Sequence, residues 1–331
     1  MKLVTKIFIA IDVLIAGCFF LVYGPFDWAR VFWITTSMET LSHRYLADIF
    51  YSKETITEVM NNNYLIVLEE ETNVNDITIG EVETKENYES IYEKQILERD
   101  KDALYKLITF KYKEFDCYLI AVYDSKRISV ATSTNLRYSD GETLLDIAKK
   151  NDAIAAINGG GYLWSNGKAS GIVVHDGKLI HAESKARYAS AAFNSEGVLM
   201  VGPMSASDIE SKDIKEAVSF GPALIVNGKS VTIKGTGGTG LNPRTAIAQR
   251  KDGIVLFLVV NGYGKGLSWK GRGGVYINDV LTILERYKAY NAINMDGGSS
   301  TTMVMDGKLV NTPCEPVKDG ADFITTSWIL K

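Results

Sequence analysis

The chain is short of the residues that bind transition metals or staple small domains: it has three cysteines and three histidines in 331 residues. Cys18, Cys117 and Cys314 form no CxxC pair, which removes a zinc ribbon and a thioredoxin-type redox pair and leaves a Cys117 to Cys314 disulfide open. His43, His175 and His181 fall in no HxH or HxxxH arrangement, which argues against a histidine-rich zinc site. Positive charge is not in surplus either. The 36 Lys and Arg against 40 Asp and Glu give a net charge of -4, and no basic stripe interleaves with aromatics, so nucleic acid is not an expected partner. With 46% apolar and 23% charged residues, the composition is that of one or two globular domains, not of a disordered chain. The 17 Tyr and 5 Trp suit sugar contacts and β-rich cores equally.

Long apolar runs are missing with one exception. Ile7 to Tyr23 is broken only by Asp12 and Gly17 and ends at Gly24-Pro25, about the minimum length for crossing a bilayer. Lys2 and Lys6 precede it, which by the positive-inside rule leaves the N-terminus in the cytoplasm and everything after Pro25 outside. No A-x-A cleavage site follows, so the run reads as an uncleaved signal anchor at residues 1–25, giving a single-pass membrane protein with an extracellular C-terminal domain. Ile15-Ala16-Gly17-Cys18 offers a rival, a lipoprotein box that would lipidate Cys18; Phe19 to Val22 stay apolar where a mature lipoprotein turns polar. A plain buried helix is the third reading.

Beyond the anchor the texture changes twice. Phe26 to about Asn61 spaces aromatics among polar residues without glycine and is expected to be helical, near the lipid surface or packed on the main domain. Glu69 to Asp102 is rich in Glu, Asn, Thr and Lys and reads as a linker; together these fill residues 26–103. From Leu104 to residue 331, short β-branched and aromatic runs such as Cys117 to Tyr123, Gly171 to Val174 and Ile254 to Val260 alternate with turn signals. The expected fold is α+β, a β-rich mixed-sheet domain with a few packed helices behind an N-terminal transmembrane helix. His175-Asp176-Gly177-Lys178, Val226-Asn227-Gly228-Lys229 and Met305-Asp306-Gly307-Lys308 predict two-residue hairpins. Gly141 to Lys150 and Tyr276 to Tyr287 carry apolar residues on one helical face.

Each of those helices precedes a short apolar strand, Ile154 to Ile157 or Ala292 to Met295, that runs into a glycine loop. The loops are Asn158-Gly159-Gly160-Gly161 and Asp296-Gly297-Gly298-Ser299-Ser300. Consecutive glycines after a polar residue can present backbone N–H groups to an anion; neither loop is a P-loop or a dinucleotide fingerprint. Taken singly, such a loop is a tight bend; two of them, each led by Asn or Asp, weigh toward a site. Asp296 is the sharpest candidate for base, nucleophile or metal ligand, with turn capping as its alternative. Arg244 carries the planar fork that matches phosphate oxygens, with a surface salt bridge as its alternative.

AAINGGGY at 155–162, SFGPALIVNGK at 219–229, NPRTAIAQ at 242–249 and NAINMDGGSSTTMVMDGKLVNTP at 291–313 together resemble the phosphodiester glycosidase family, over residues 104–331 and with motif order kept. The resemblance implies hydrolysis of a sugar 1-phosphodiester at the anomeric carbon, on N-acetylglucosamine in eukaryotic members and on exopolysaccharide or cell-surface glycans in bacterial ones. By motif it assigns Asp296, Asp279 and Arg244 to catalysis, and Asn158, Gly159, Gly160, Asn261, Gly297, Gly298 and Ser300 to substrate binding. Two positions depart from the family pattern: Ser299 stands where a third glycine is usual, and Asp279 where glutamate is common, which shortens the reach of that carboxylate. The chemistry requires no cofactor, although Asp296, Asp279 and Asn158 are hard oxygen ligands of the kind a divalent cation such as calcium accepts.

The residue types suit that reaction. The leaving phosphate is weakly basic, so neutralising its charge outweighs protonating it, a task for Arg244 and loop N–H groups. Asp296 would activate water or attack C1, with Asp279 as supporting acid or base. The alternative is a non-catalytic glycan-binding or exopolysaccharide-assembly protein using the same cleft. A metal-dependent phosphodiesterase would carry a denser carboxylate and histidine cluster, and a serine hydrolase a GxSxG elbow.

Overall fold

The structure, a computed structural model, describes residues 3–39, 44–80, 87–263 and 273–331. Lys2, His43 and residues 81–86 of the expected linker lie outside these. The helices in chain order are α1 (Leu3–Tyr23), α2 (Asp27–Glu39), α3 (Tyr45–Phe50), α4 (Lys53–Asn62), α5 (Ile91–Leu97), α6 (Leu144–Lys150), α7 (Asp208–Ser211) and α8 (Ile277–Arg286). The first strands are β1 (Tyr64–Ile66), β2 (Tyr105–Tyr112), β3 (Phe115–Val122), β4 (Ile128–Thr132), β5 (Ala155–Asn158), β6 (Ile172–His175), β7 (Lys178–Ala182), β8 (Tyr188–Asn194) and β9 (Leu199–Met204). They continue as β10 (Ile214–Ser219), β11 (Ala223–Val226), β12 (Lys229–Ser230), β13 (Thr232–Lys234), β14 (Arg244–Arg250) and β15 (Val255–Val260). The last are β16 (Ala289–Met295), β17 (Met303–Met305), β18 (Lys308–Leu309) and β19 (Thr326–Leu330). Contacts divide the chain into two units, Met1–Leu65 with Ile233–Gly240, and Ile66–Thr232 with Leu241–Lys331.

In the first unit α1 is long and apolar enough to cross a membrane; at 1.5 Å per residue it spans roughly 30 Å. It stops where Gly24 N–H closes on Phe20 O at 2.8 Å and Pro25 cannot continue. Three helices, α2 to α4, occupy the stretch expected to be helical and bury Ile34, Ala47, Ile56 and Val59 between them. Strand β1 pairs with β13, which is how residues 233–240 join this unit.

The second unit holds three sheets with strand orders β12-β11-β16-β14-β15-β3-β2, β18-β17-β5-β19-β4 and β7-β6-β10-β8-β9, and the pairings within them are antiparallel. One core receives a face of each sheet: Phe257 and Ile293 from the first, Ile157 and Trp328 from the second, Phe193 and Val218 from the third. The other face of the first sheet is capped by α8, which packs over β14 and β16. The helix can sit close there because Ala246, Ala248 and Ala292 present small side chains opposite the core residues. Residues 66–103, read above as juxtamembrane segment and linker, cluster with this unit. Val201 N–H donates to Thr72 Oγ1 at 3.0 Å, Tyr290 OH to Asp76 Oδ2 at 2.8 Å and Tyr123 OH to Ile96 O at 2.6 Å, so polar side chains there are fastened to strands.

Local chemistry explains most element ends. The three Asp-Gly and Asn-Gly turns join β6 to β7, β11 to β12 and β17 to β18, with positive φ at both central residues of each. Helix α6 starts three residues later than Gly141 because Thr143 caps it: Asp146 N–H donates to Thr143 Oγ1 at 3.2 Å and Thr143 N–H to Asp146 Oδ2 at 2.9 Å. Gln249, the last residue of the NPRTAIAQ run, is fully buried. Its Oε1 accepts from Leu199 N–H at 2.6 Å, and its Nε2 donates to Gly197 O at 2.8 Å and Gly253 O at 3.0 Å.

Gln249→Leu strands those three backbone groups and is expected to lower stability by about 2–4 kcal/mol in urea denaturation. Cys117 and Cys314 are both buried free thiols, with no disulfide between them. Burial pushes the Cys117 thiol up to about 12, so iodoacetamide at pH 8 is expected to leave Cys117 unlabelled in the native protein and to modify it after unfolding, read by peptide mass spectrometry.

Candidate active site

The two glycine loops leave the ends of β5 and β16, and strand register sets what each meets. Strand β5 lies between β17 and β19, with Ile157 opposite both Met303 and Trp328. Strand β16 lies beside β14, with Met295 opposite Thr245, so Arg244 and Asp296 leave their strands side by side.

Asn158, at 1% exposure, joins the loops. Its Nδ2 donates to Asp296 O at 2.7 Å, while its Oδ1 accepts from Thr245 Oγ1 at 2.8 Å and Thr302 N–H at 3.1 Å. In return Asp296 N–H donates to Gly159 O at 3.0 Å. The Asp296 carboxylate is partly exposed, its Oδ1 accepts from Gly297 N–H at 3.0 Å, and a Cβ placed on Gly161 would stand 3.6 Å from its Oδ2. Glycine is required where backbones nearly touch: a Cβ on Gly160 would meet Ser219 O at 2.4 Å, and one on Gly297 would meet Pro243 O at 2.7 Å. The same Cβ on Gly297 would stand 3.9 Å from Cδ of Arg244, a residue 5% exposed whose Nε donates to Val275 O at 3.2 Å.

The amides expected to cradle an anion are differently employed. Gly159 N–H donates to Thr326 O and Gly160 N–H to Thr326 Oγ1, each at 2.9 Å; Gly298 N–H donates to Pro243 O at 3.0 Å. These glycines therefore shape the loops by close packing; strand β19, next to β5, takes up the donors of Gly159 and Gly160, and Pro243 that of Gly298. Ser300, buried, ends the short turn after Gly297 through Ser300 N–H to Gly297 O at 3.3 Å.

Asp279 also has a different post from the one its motif suggested. It is 6% exposed at the start of α8 and accepts from Lys113 Nζ at 2.8 Å, Tyr112 OH at 3.2 Å and Tyr276 N–H at 3.1 Å. Three donors converge on the carboxylate, so it caps the helix and ties it to the β2–β3 turn, leaving little lone-pair capacity for proton transfer. Burial first, and then this neighbouring carboxylate, raises Tyr112 above the usual tyrosine range, which keeps that hydroxyl a donor at neutral pH. Through the chain from Tyr276 to Val275, the capped end of α8 adjoins the carbonyl that receives Arg244.

Asn261 acts at one remove. Its Oδ1 accepts from Asn311 Nδ2 at 3.1 Å; the same Nδ2 donates to Thr301 O at 3.0 Å, and Asn311 Oδ1 accepts from Met303 N–H at 2.7 Å. Asn311 fixes the exit of the second loop. It stands inside the VNTP end of the longest motif, where an asparagine before Thr-Pro was a visible signal, whereas nothing near Thr326 marked it. Among the described residues no three His, Cys, Asp or Glu side chains gather to hold a metal ion; of the suggested oxygen set, Asn158 and Asp279 are already engaged as described.

A Lys113→Met and Asp279→Ala double-mutant cycle is expected to give a coupling of about 1 kcal/mol in denaturant titrations, discounted because Lys113 is half-exposed, with Asp279→Ala alone costing more through the lost cap.

Comparison with known proteins bears on this arrangement. An uncharacterized SPbeta prophage-derived protein of Bacillus subtilis is 29% identical over 216 residues, covering 62% of this chain and 33% of the relative. The N-acetylglucosamine-1-phosphodiester alpha-N-acetylglucosaminidase of Mus musculus is 25% identical over 194 residues, covering 54% and 36% respectively. The chain thus spans about a third of the length of these curated relatives. The zebrafish N-acetylglucosamine-1-phosphodiester alpha-N-acetylglucosaminidase catalytic domain, auto-inhibited by its pro-peptide, shares the fold with a TM-score of 0.56 at 22% identity, over 70% of this chain and 85% of that one. The family model for phosphodiester glycosidases matches residues 151–324, more than half of the chain, a span that takes in both glycine loops and Arg244. The chain belongs to the phosphodiester glycosidase family.

Proposed function

We propose that the protein is an extracytoplasmic hydrolase that cleaves sugar 1-phosphodiester bonds in cell-surface glycans or exopolysaccharide, held at the membrane by α1 with its second unit outside. The observation that carries this reading is that a partly exposed aspartate, Asp296, and a buried arginine, Arg244, stand at neighbouring ends of paired strands and both lie against Gly297. A sugar phosphodiester offers an electrophilic C1 and an anionic leaving group side by side, and those are the partners that such a pair would serve. The apolar α1 supports the anchor.

In this reading the bond from C1 to the phosphate oxygen breaks and the electron pair leaves with the phosphate. Arg244 neutralises the departing charge. Asp296 takes a proton from water as the water oxygen bonds to C1, or bonds to C1 itself and is then released by water. The weakly basic phosphate needs little help from a general acid, which fits an Asp279 occupied in structure. Asn158 holds Asp296 by its backbone.

The test is hydrolysis of methyl diesters of several sugar 1-phosphates, N-acetylglucosamine 1-phosphate among them, by the full chain in detergent micelles, with products resolved by NMR. Free sugar plus methyl phosphate is expected, slowed by a factor of about 10²–10⁴ in Asp296→Ala. Sugar 1-phosphate plus methanol would mean P–O cleavage and would overturn the glycosidase reading, and binding without turnover across the panel would point to a glycan-binding protein.

A further inference from the structure

The first glycine loop continues into a short finger. Tyr162 pairs with Ala169, Leu163 N–H donates to Lys168 O at 2.8 Å and Gly167 N–H to Leu163 O at 2.7 Å, so residues 162–169 are bonded to themselves. Trp164 stands on this finger with 64% of its surface exposed. Its ring tilts against Tyr162 at 5.5 Å, Tyr162 stacks on Tyr138 at 4.4 Å, and Tyr138 meets the edge of Phe323 at 5.6 Å. The inner end of the row is fastened: Tyr138 OH donates to Asp322 Oδ1 at 2.8 Å and Tyr138 N–H to Gly167 O at 2.8 Å. Burial and the Asp322 hydrogen bond raise the Tyr138 hydroxyl, so the fastening holds at any physiological pH.

Position gives this row its meaning. Gly161, the residue just before it, is the glycine that faces the Asp296 carboxylate. Three residues of extended chain reach at most about 10 Å, which bounds the distance from the Trp164 backbone to Gly161, the glycine beside Asp296. Sugars offer flat faces of C–H groups between rims of hydroxyls, and an exposed indole on a rigid backing presents a matching apolar plane at small entropic cost. The finger's own hydrogen bonds are made by its backbone and by Asn166 Oδ1, which accepts from Lys168 N–H at 2.9 Å, so the exposed ring is not needed to close it.

We propose that Trp164, backed by Tyr162 and Tyr138, is a stacking subsite for a sugar ring adjoining the scissile sugar phosphate, so that the substrate is an extended phosphodiester-linked glycan. The proposal rests on the hydrolase reading of the Asp296 loop. It makes Trp164 a specificity-determining residue.

The experiment compares two diesters of N-acetylglucosamine 1-phosphate, one to methanol and one to a trisaccharide, on the full chain in detergent micelles. The wild type is expected to prefer the trisaccharide diester in kcat/KM, and Trp164→Ala to lose about tenfold of that preference, mostly through KM, while Trp164→Phe keeps most of it. Calorimetry on Asp296→Asn reads binding apart from turnover, with a similar weakening for the trisaccharide diester when Trp164→Ala is added. An absent preference in the wild type, or one that survives Trp164→Ala, would overturn the subsite. If the wild type hydrolyses neither diester, the sugar panel above decides the hydrolase reading and calorimetry decides the subsite: weakening on loss of Trp164 supports it, and equal binding overturns it.

Discussion

One carboxamide keeps the two glycine loops in register. Asn158 is buried where three strands end, and its side chain addresses the backbone of the Asp296 loop, the hydroxyl of Thr245 on β14 and the backbone of Thr302. In a low-dielectric interior such a set is strong when complete and costly when broken, because losing the carboxamide would orphan three buried groups at once. The position of Asp296 is therefore set through its main chain, by Asn158 Nδ2 on its carbonyl and by its own N–H on Gly159 O.

Around this tie the structure separates shaping from chemistry. The glycines at 159, 160 and 297 let their loops approach the backbones at Thr326, Ser219 and Pro243, and the N–H groups of 159, 160, 297 and 298 are consumed in packing or face their own loop. Asp296 and Arg244 both lie against Gly297, and Asp279 is occupied in capping the helix that adjoins the arginine's carbonyl partner.

Much of the scaffold was readable before any coordinates. Asp-Gly and Asn-Gly turns demand positive φ whatever surrounds them, so all three hairpins stood out, and the apolar face of α8 follows from spacing alone. The strands that carry Asn158 and Asp296 were legible for the same reason. The illegible part was long-range. That Thr326 would take up the glycine donors depends on β19 lying against β5, and that Lys113 would cover Asp279 depends on the β2–β3 turn reaching α8. A motif marks a residue as important without saying whether it holds the substrate or the helix beside it. The return of residues 233–240 to the first unit was hidden likewise, because a pairing between β1 and β13 leaves no mark in either short run.

Thr326 lies 166 residues beyond Gly160. During synthesis, at roughly 5–20 residues per second, the first glycine loop waits on the order of ten seconds or more before its acceptors exist. Closing so long a loop costs entropy that only the finished sheet repays. The nascent chain can hold many of its strands and still lack the packed glycine loops, so the geometry around Asn158 and Asp296 is coupled to completion of the fold.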